Sequence, residues 1–272
     1  GLVPKLQRLT EDHGVCISSC PDYWDDDLVL QAFNRNLILA PEVYGNPWLL
    51  RDDEYPKFAR LYNLHRKYRD IMVDGIILPA NQYGPHAVSR GDGNTRIITL
   101  RNLSWESVSY DLIIGSEIGL TGKGKVEVRQ FHPTEKVLGE YKTGSTVSIQ
   151  VDPFRSCLIV VSKEEIDEPA IIGAEYEVIR NVEGEAVEID ILGWPGTSIN
   201  FSIANSKIFK SLSINDQELP KFAKRVKLKI DFDGKKLEKD LTRKVASFKK
   251  LEKIDNTNWE SLYEAPVFSA DN

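Results

Sequence analysis

Cysteine is scarce in this chain, and the three it has build no covalent or metal framework. Cys16 and Cys20 lie four apart on what reads as a strand and its following turn, roughly 13 Å in extended chain and too far for a disulfide. No second cysteine pair or histidine set completes a zinc site, and His13, His65, His86 and His132 have no metal-binding spacing. Long apolar runs are missing too: nothing approaches the roughly 20 residues of a membrane-spanning helix. The opening Gly-Leu-Val-Pro holds neither Met nor a signal-like apolar region. Gly1 is therefore expected to be a processing remnant, and export cannot be read from this end. A strong charge of either sign is also lacking. The net charge of −6 leaves no global electrostatic case for nucleic acid. Lysines do gather at 235–244 and 249–253, but without interleaved aromatics, so they read as a solvated strand or linker. Gly-x-Ser-x-Gly, the nucleophile elbow, does not occur. Gly122 and Gly124, beside Lys123 and Lys125, precede a strand rather than a helix, which reads as a hairpin turn and not a phosphate loop.

What is there is an ordinary globular composition, 41% hydrophobic and 28% charged over 272 residues, enough for two domains with real cores. The first 74 residues alternate elements. Residues 2–11 have a helical pattern, and 15–19 read as a strand. The aspartates of 20–27 favour a helix start through capping and the dipole, and 28–34 supply a short helix. Residues 37–40, Leu-Ile-Leu-Ala, form an unbroken aliphatic run suited to a strand buried on both faces. Residues 53–73 then place Phe58, Leu61, Tyr62, His65, Tyr68 and Met72 on one helical stripe, with Lys57, Arg60, Arg66, Lys67, Arg69 and Asp70 mostly elsewhere. This order predicts the last two β-α units of a (β/α)8 barrel. His65, on the stripe, reads as a hydrogen-bonded core histidine.

After Gly75 the period changes to two. Strands are expected at 95–103, 108–114, 125–131, 146–151 and 157–161, separated by Gly, Asn and Asp turns. Regular spacing argues for an antiparallel β-sandwich. The charged, proline-containing stretch 163–169 marks a boundary or a sharp turn between sheets. Further strands are expected at 174–179, 186–192, 198–203, 208–214 and 225–232, with the composition of a small Ig-like sandwich. The fold class is thus α/β plus all-β. Its predicted units are 1–74 (barrel end), 75–165 (sandwich packed on the barrel), 166–233 (second small sandwich-like module) and 234–272 (lysine-rich linker and the start of a further strand).

Several phrases resemble a known family. Residues 41–48 (Pro-Glu-Val-Tyr-Gly-Asn-Pro-Trp), the helix around 62–69, residues 83–94 and residues 100–105 are similar to the carboxyl-terminal part of multi-domain, α-galactosidase-like (clan D type) bacterial glycoside hydrolases. The resemblance covers roughly 15–163. It implies a barrel followed at once by an antiparallel sandwich, in a periplasmic, cell-surface or secreted protein that degrades polysaccharide. It also implies that the two catalytic aspartates belong to the fourth and sixth barrel strands. This chain supplies only the seventh and eighth, so neither aspartate is assigned.

Candidate site residues follow from position. Tyr23, Trp24, Tyr44 and Trp48 would stack on the apolar face of a pyranose, with Asn46 bonding its hydroxyls. Trp48 can equally wedge between barrel and sandwich, and Tyr23 or Trp24 can be packing beside a helix. Asp22 and Glu42 are the carboxylates to consider as a pair, since glycoside hydrolysis sets two carboxyl groups about 5 Å apart for retention or roughly 6.5–9.5 Å for inversion. Their alternatives are a helix cap for Asp22 and a strand-end hydrogen bond for Glu42. No organic cofactor is expected, and a structural calcium in the sandwiches is left open. The expected partners are an oligosaccharide or glycan and the missing amino-terminal part of the barrel, with neither nucleic acid nor a membrane span. The competing readings are a non-catalytic carbohydrate-binding or cell-surface interaction protein built on sandwiches, and a structural β-repeat protein.

Overall fold

The computed structural model describes residues 16–18, 24–34, 42–44, 50–73, 75–204, 206, 209–219 and 227–236. The helix expected at 2–11, the aliphatic run 37–40 and the lysine-rich tail from 237 lie outside them. The first unit is a parallel β-α-β: β1 (Cys16–Ser18) pairs with β2 (Glu42–Tyr44), Cys16 facing Glu42 and Ser18 facing Tyr44. A parallel pair cannot be joined by a tight turn, and α1 (Trp24–Asn34) provides the crossover. Among the described residues this sheet has two strands and no closed barrel.

Helix α2 (Tyr55–Tyr68) is flanked by the 3-10 turns Asp52–Glu54 and Arg69–Ile71. Pro56 near its start and His65, Arg66 and Lys67 in its last turn suit helix geometry and dipole. Leu61, Leu64, His65, Tyr68 and Met72 are buried, while Phe58 and Tyr62 stack on each other with ring centroids 4.8 Å apart at the margin. One correction concerns Arg60. Placed with the solvent-facing charges by periodicity, it is buried, because two carboxylates from distant segments close over it. No described helix is long and apolar enough to cross a membrane.

The sandwich follows. Its larger sheet has the order β3 (Gly75–Ile77), β4 (Val88–Gly91), β5 (Thr95–Arg101), β10 (Ser156–Ser162), β7 (Lys125–His132), β8 (Lys136–Lys142), every pair antiparallel. The smaller sheet pairs β6 (Val108–Ile113) with β9 (Thr146–Val151). Alternation explains the layers. Ile98, Leu100, Val126, Val128, Cys157, Ile159 and Val161 point to β6 and β9, and Tyr110, Leu112, Val147, Ile149 and Val151 answer from them. The intervening Ile97, Phe131, Leu158 and Val160 point the other way and pack on Leu28, Val29, Ala32 and Phe33 of α1 and Leu61 and Leu64 of α2. Each fully buried aliphatic contributes about 1.5–3 kcal/mol relative to exposure. Strand β10, central in the sheet, is therefore buried along its whole length.

The expected sandwich strands all occur, and β3, β4 and β8 are additions. The 120–125 segment needs correction: β6 pairs with β9, whereas β7 pairs with β10 and β8, so this turn carries the chain from one sheet to the other and is no hairpin. Asp92–Asn94 is turn chemistry as expected, Asp92 Oδ1 accepting from the backbone N–H of Asn94 and Thr95, both at 2.8 Å. On β8, Gly139 at φ +129 sits where the register with β7 slips, a bulge on an edge strand.

Beyond Ser162 lies a third cluster around Ala170, Ile171, Ala174, Tyr176, Val178 and Phe201. Its strands are β11 (Ile171–Ile172), β12 (Glu175–Arg180), β13 (Glu188–Leu192), β14 (Ser198–Ile203), β15 (Ser213–Ile214), β16 (Gln217–Glu218) and β17 (Leu228–Asp231), ordered β11-β14-β17, β12-β13 and β15-β16. Of the strand expected over 208–214 the described residues keep Ser213–Ile214, after which Asn215 and Asp216, at φ 48 and 62, turn the chain back onto β16. The cluster joins the sandwich where Glu135 and Tyr176 exchange backbone hydrogen bonds of 2.9 and 3.0 Å.

Candidate functional site

The carboxyl end of the parallel pair is where the sequence puts its sugar contacts. Trp24 is the first residue of α1, and Tyr44 is the last of β2. Glu42 opens β2 opposite Cys16, at the amino end of the pair. Asp22, Tyr23, Asn46 and Trp48 lie outside the described residues.

Directly after Trp24 comes a buried polar cluster that no local spacing announces. Asp26 Oδ1 accepts from the Ser156 backbone N–H at 3.0 Å, from Ser156 Oγ at 2.7 Å and from His132 Nε2 at 2.6 Å, while its Oδ2 lies 2.7 Å from Arg155 Nε. Asp25 Oδ2 pairs with Lys57 Nζ at 3.0 Å and Arg155 Nη2 at 3.1 Å. The amino end of α1 is thus clamped to the ends of β7 and β10 and to α2. The aspartates read from sequence as helix-dipole residues do that work through tertiary partners.

The protonation pattern follows from the neighbours. Facing a carboxylate, His132 Nε2 carries the proton, and Nδ1 has no partner among the described residues. Burial holds its pKa below the ordinary 6.5, outweighing Asp26, since charging the ring would leave an unanswered buried N–H. Burial alone would raise Asp25, but His132, Lys57 and Arg155 outweigh it and bring the carboxyl down to about 2.

Serine, histidine and aspartate meet here without forming a nucleophilic triad. Ser156 and His132 both bond the same oxygen of Asp26, so the imidazole is not placed to take the serine proton. His132 is 0% exposed and Asp26 5%, which keeps substrate away from both. Asp25, Asp26 and His132 also offer ligand atoms within 4.8 Å of one another. Lys57 and Arg155 already supply the two positive charges that a divalent cation would bring. The cluster is a positioning device for the start of α1.

A second network fixes α2. Arg60 holds Glu135 bidentately, at 2.7 and 2.9 Å, and reaches Glu168 at 2.5 Å, and Lys67 completes Glu168 at 2.7 Å. Burial raises the Glu135 carboxyl against the pull of Arg60, while Arg60 and Lys67 outweigh burial at the more accessible Glu168 and lower it. Arg90 of β4, wholly buried, donates to the Asn34 carbonyl at the end of α1 and to the Met72 carbonyl beyond α2. None of these partners was picked out from sequence. The Asp25–Asp27 run was the one visible signal, and its partner His132 stands 106 positions away from Asp26.

No family model matches the sequence, and no curated protein matches it. Among solved structures the chain is similar to a protein described as an α-N-acetylgalactosaminidase of Bacillus halodurans (13% identity, 54% of this chain, 33% of that chain, TM-score 0.39). It is also similar to a GH27 β-L-arabinopyranosidase of Geobacillus stearothermophilus (12%, 56%, 32%, 0.35). A third is α-galactosidase I of Mortierella vinacea (11%, 53%, 36%, 0.39). The chain spans about a third of the length of these structures. Likeness at this level fixes neither family nor activity.

Proposed function

We propose that the chain is the carboxyl-terminal part of a secreted, periplasmic or cell-surface carbohydrate-active protein of the glycoside hydrolase kind. Residues 1–74 are the barrel end, 75–165 the sandwich that supports it, 166–233 an accessory module and 234–272 a linker into a further strand. The observation that supports this most is the docking of a parallel β-α-β-α unit, through both helices, on the outer face of a sandwich that already has its own core. A sandwich needs no such layer for itself. It suits one that backs a larger α/β body.

In this reading Tyr23, Trp24, Tyr44, Asn46 and Trp48 contact sugar at the carboxyl edge of the pair, and the Asp25–Asp26 clamp holds the start of α1 in register for them. Hydrolysis by the full-length protein is acid/base displacement at an anomeric carbon through an oxocarbenium-like transition state, with the catalytic pair upstream of this chain. Asp22 and Glu42 remain the only carboxylates put forward within it. The chain alone binds and does not cleave. The test compares this chain and the native gene product on aryl α- and β-glycosides. Cleavage by the longer product alone, reduced about tenfold in kcat/KM by Trp48→Ala, is expected. If neither form turns over any glycoside and the variant changes nothing, the reading is wrong.

The second reading, a non-catalytic carbohydrate-binding protein, gains from one feature: an exposed indole over a groove in the third cluster.

A further inference from the structure

That groove, of about 550 Å³, runs between β8 of the sandwich and the β13–β14 turn. Its volume lies in the range of small-molecule sites. Trp194 is 58% exposed on its rim, more than any other large apolar side chain among the described residues. A lone exposed apolar residue is ordinary on a protein surface. Two further observations set this one apart.

The first is how the turn that carries the indole is held. Thr197 Oγ1 donates to the Trp194 carbonyl at 2.6 Å, the Thr197 N–H to the same oxygen at 3.2 Å, and the Gly196 N–H to the Phe232 carbonyl at 2.9 Å. Gly196 sits at φ +70, and a Cβ there would come within 2.5 Å of the Lys236 nitrogen. The turn is braced on both sides. The backbone that carries the indole is thus fixed, so little loop freedom is lost when something covers it.

The second is what shares the groove with it. Lys136 and Glu175, each with a side chain 46% exposed, line the same groove and pair at 3.2 Å. Thr134 Oγ1 steadies the other carboxylate oxygen at 3.2 Å. Together they offer a donor and an acceptor side by side with no net charge. Gly173 and Gly193 also line it, packed closely on the Asn200 backbone and the Phe232 ring. An exposed indole and a neutral donor–acceptor pair lining one groove match a ligand with one apolar face and a rim of hydroxyls.

We infer that this groove is a binding site for a neutral saccharide, one pyranose ring stacking on Trp194 and its hydroxyls bonding Lys136 and Glu175. The inference takes its ligand class in part from the function proposed above, but its site is separate from residues 22–48. A strongly anionic sugar is disfavoured by Glu175, and a purely apolar peptide would strand the ion pair.

The test titrates the full chain with neutral gluco-, galacto-, manno- and xylo-oligosaccharides, following tryptophan emission and heat. One of these series shifts the emission, and Trp194→Ala weakens its binding about tenfold or more. Trp194→Tyr retains most of the affinity, and Glu175→Gln loses severalfold. Trp105→Ala, at an exposed indole that rests edge-on against Phe154, changes nothing. Tyr44→Ala and Trp48→Ala, at the site proposed above, remove only binding that persists in Trp194→Ala, which separates the two sites. If only those two variants abolish binding, the earlier reading stands and this one falls. The inference is overturned as well if no neutral saccharide binds, if Trp194→Ala binds like the parent, or if the variant instead abolishes self-association or peptide capture.

Discussion

The two faces of the six-stranded sheet are made by the same strands and held by different physics. Toward β6 and β9, strands β5, β7 and β10 present mainly aliphatic side chains and the Cys157 thiol, with Gln130 beside that thiol and Arg96 bonded to Ser89 and Gly91 of the neighbouring strand, and the stabilisation is chiefly burial and packing. Toward the helices, the same strands offer Ile97, Phe131, Leu158 and Val160, and beside them His132 and Ser156. Buried ion pairs from α1, α2 and the 163–169 joint close over that face. An apolar face tolerates any partner of the right volume. A face carrying buried charges accepts one docking geometry, since every misplacement leaves a charge unanswered.

This contrast can be broken from either side. The largest effect is expected at Arg60. Arg60→Met leaves Glu135 buried without its cation and should cost about 3–5 kcal/mol in urea unfolding. If the loss is below about 1 kcal/mol, the network is incidental and the helix layer is held by apolar contact alone. On the opposite face, Ile159→Ala should cost about 2–5 kcal/mol through lost burial and a cavity. Adding it to Arg60→Met should be nearly additive, because the two sites share no partner.

The smallest effect is a pH slope. His132 is held below its ordinary 6.5 when folded, so the unfolded chain takes up the proton first as pH falls. Stability should decline on acidification below about pH 6.5. Asp25, ordinarily near 3.8 and about 2 here, adds a further loss as pH drops through that interval. Glu135, raised above its ordinary 4.5, runs in the opposite sense but is common to both proteins being compared. His132→Gln should therefore flatten the slope between about pH 7 and pH 5 relative to the parent. An unchanged slope would show that the acid response belongs elsewhere.

The same contrast explains what could be read beforehand. Thr146–Val151 alternates strictly, and Val147, Ile149 and Val151 are the buried set, so the apolar face is visible in a period of two. The register slip at Gly139 hides β8, because a bulge breaks the alternation that periodicity relies on. Arg60 looks like a solvent-facing residue on its helix, and nothing near it announces Glu135 or Glu168, 75 and 108 positions away. Local pattern encodes which face is apolar; it does not encode which charges meet across the fold. At the candidate site, Trp24 and Tyr44 fall where the parallel pair requires them, at a helix start and a strand end. Glu42 is the first described residue of β2, and the aliphatic run from which the strand was expected lies outside the described residues. Trp194 sits in a Trp-Pro-Gly turn that marks a loop in sequence without signalling an exposed platform.

The bulged strand β8 has a consequence for how the molecule behaves in company. It is the outermost strand of a wide sheet, and such edges recruit strands from other molecules. Here the strand opens and closes on lysines, is kinked at Gly139, and has its approach sealed by the backbone exchange between Glu135 and Tyr176. The third cluster is thus a guard as much as a module: by lying across the start of β8 it hinders strand addition there, while the opposite edge, β3, keeps Ile76 and Ile77 exposed.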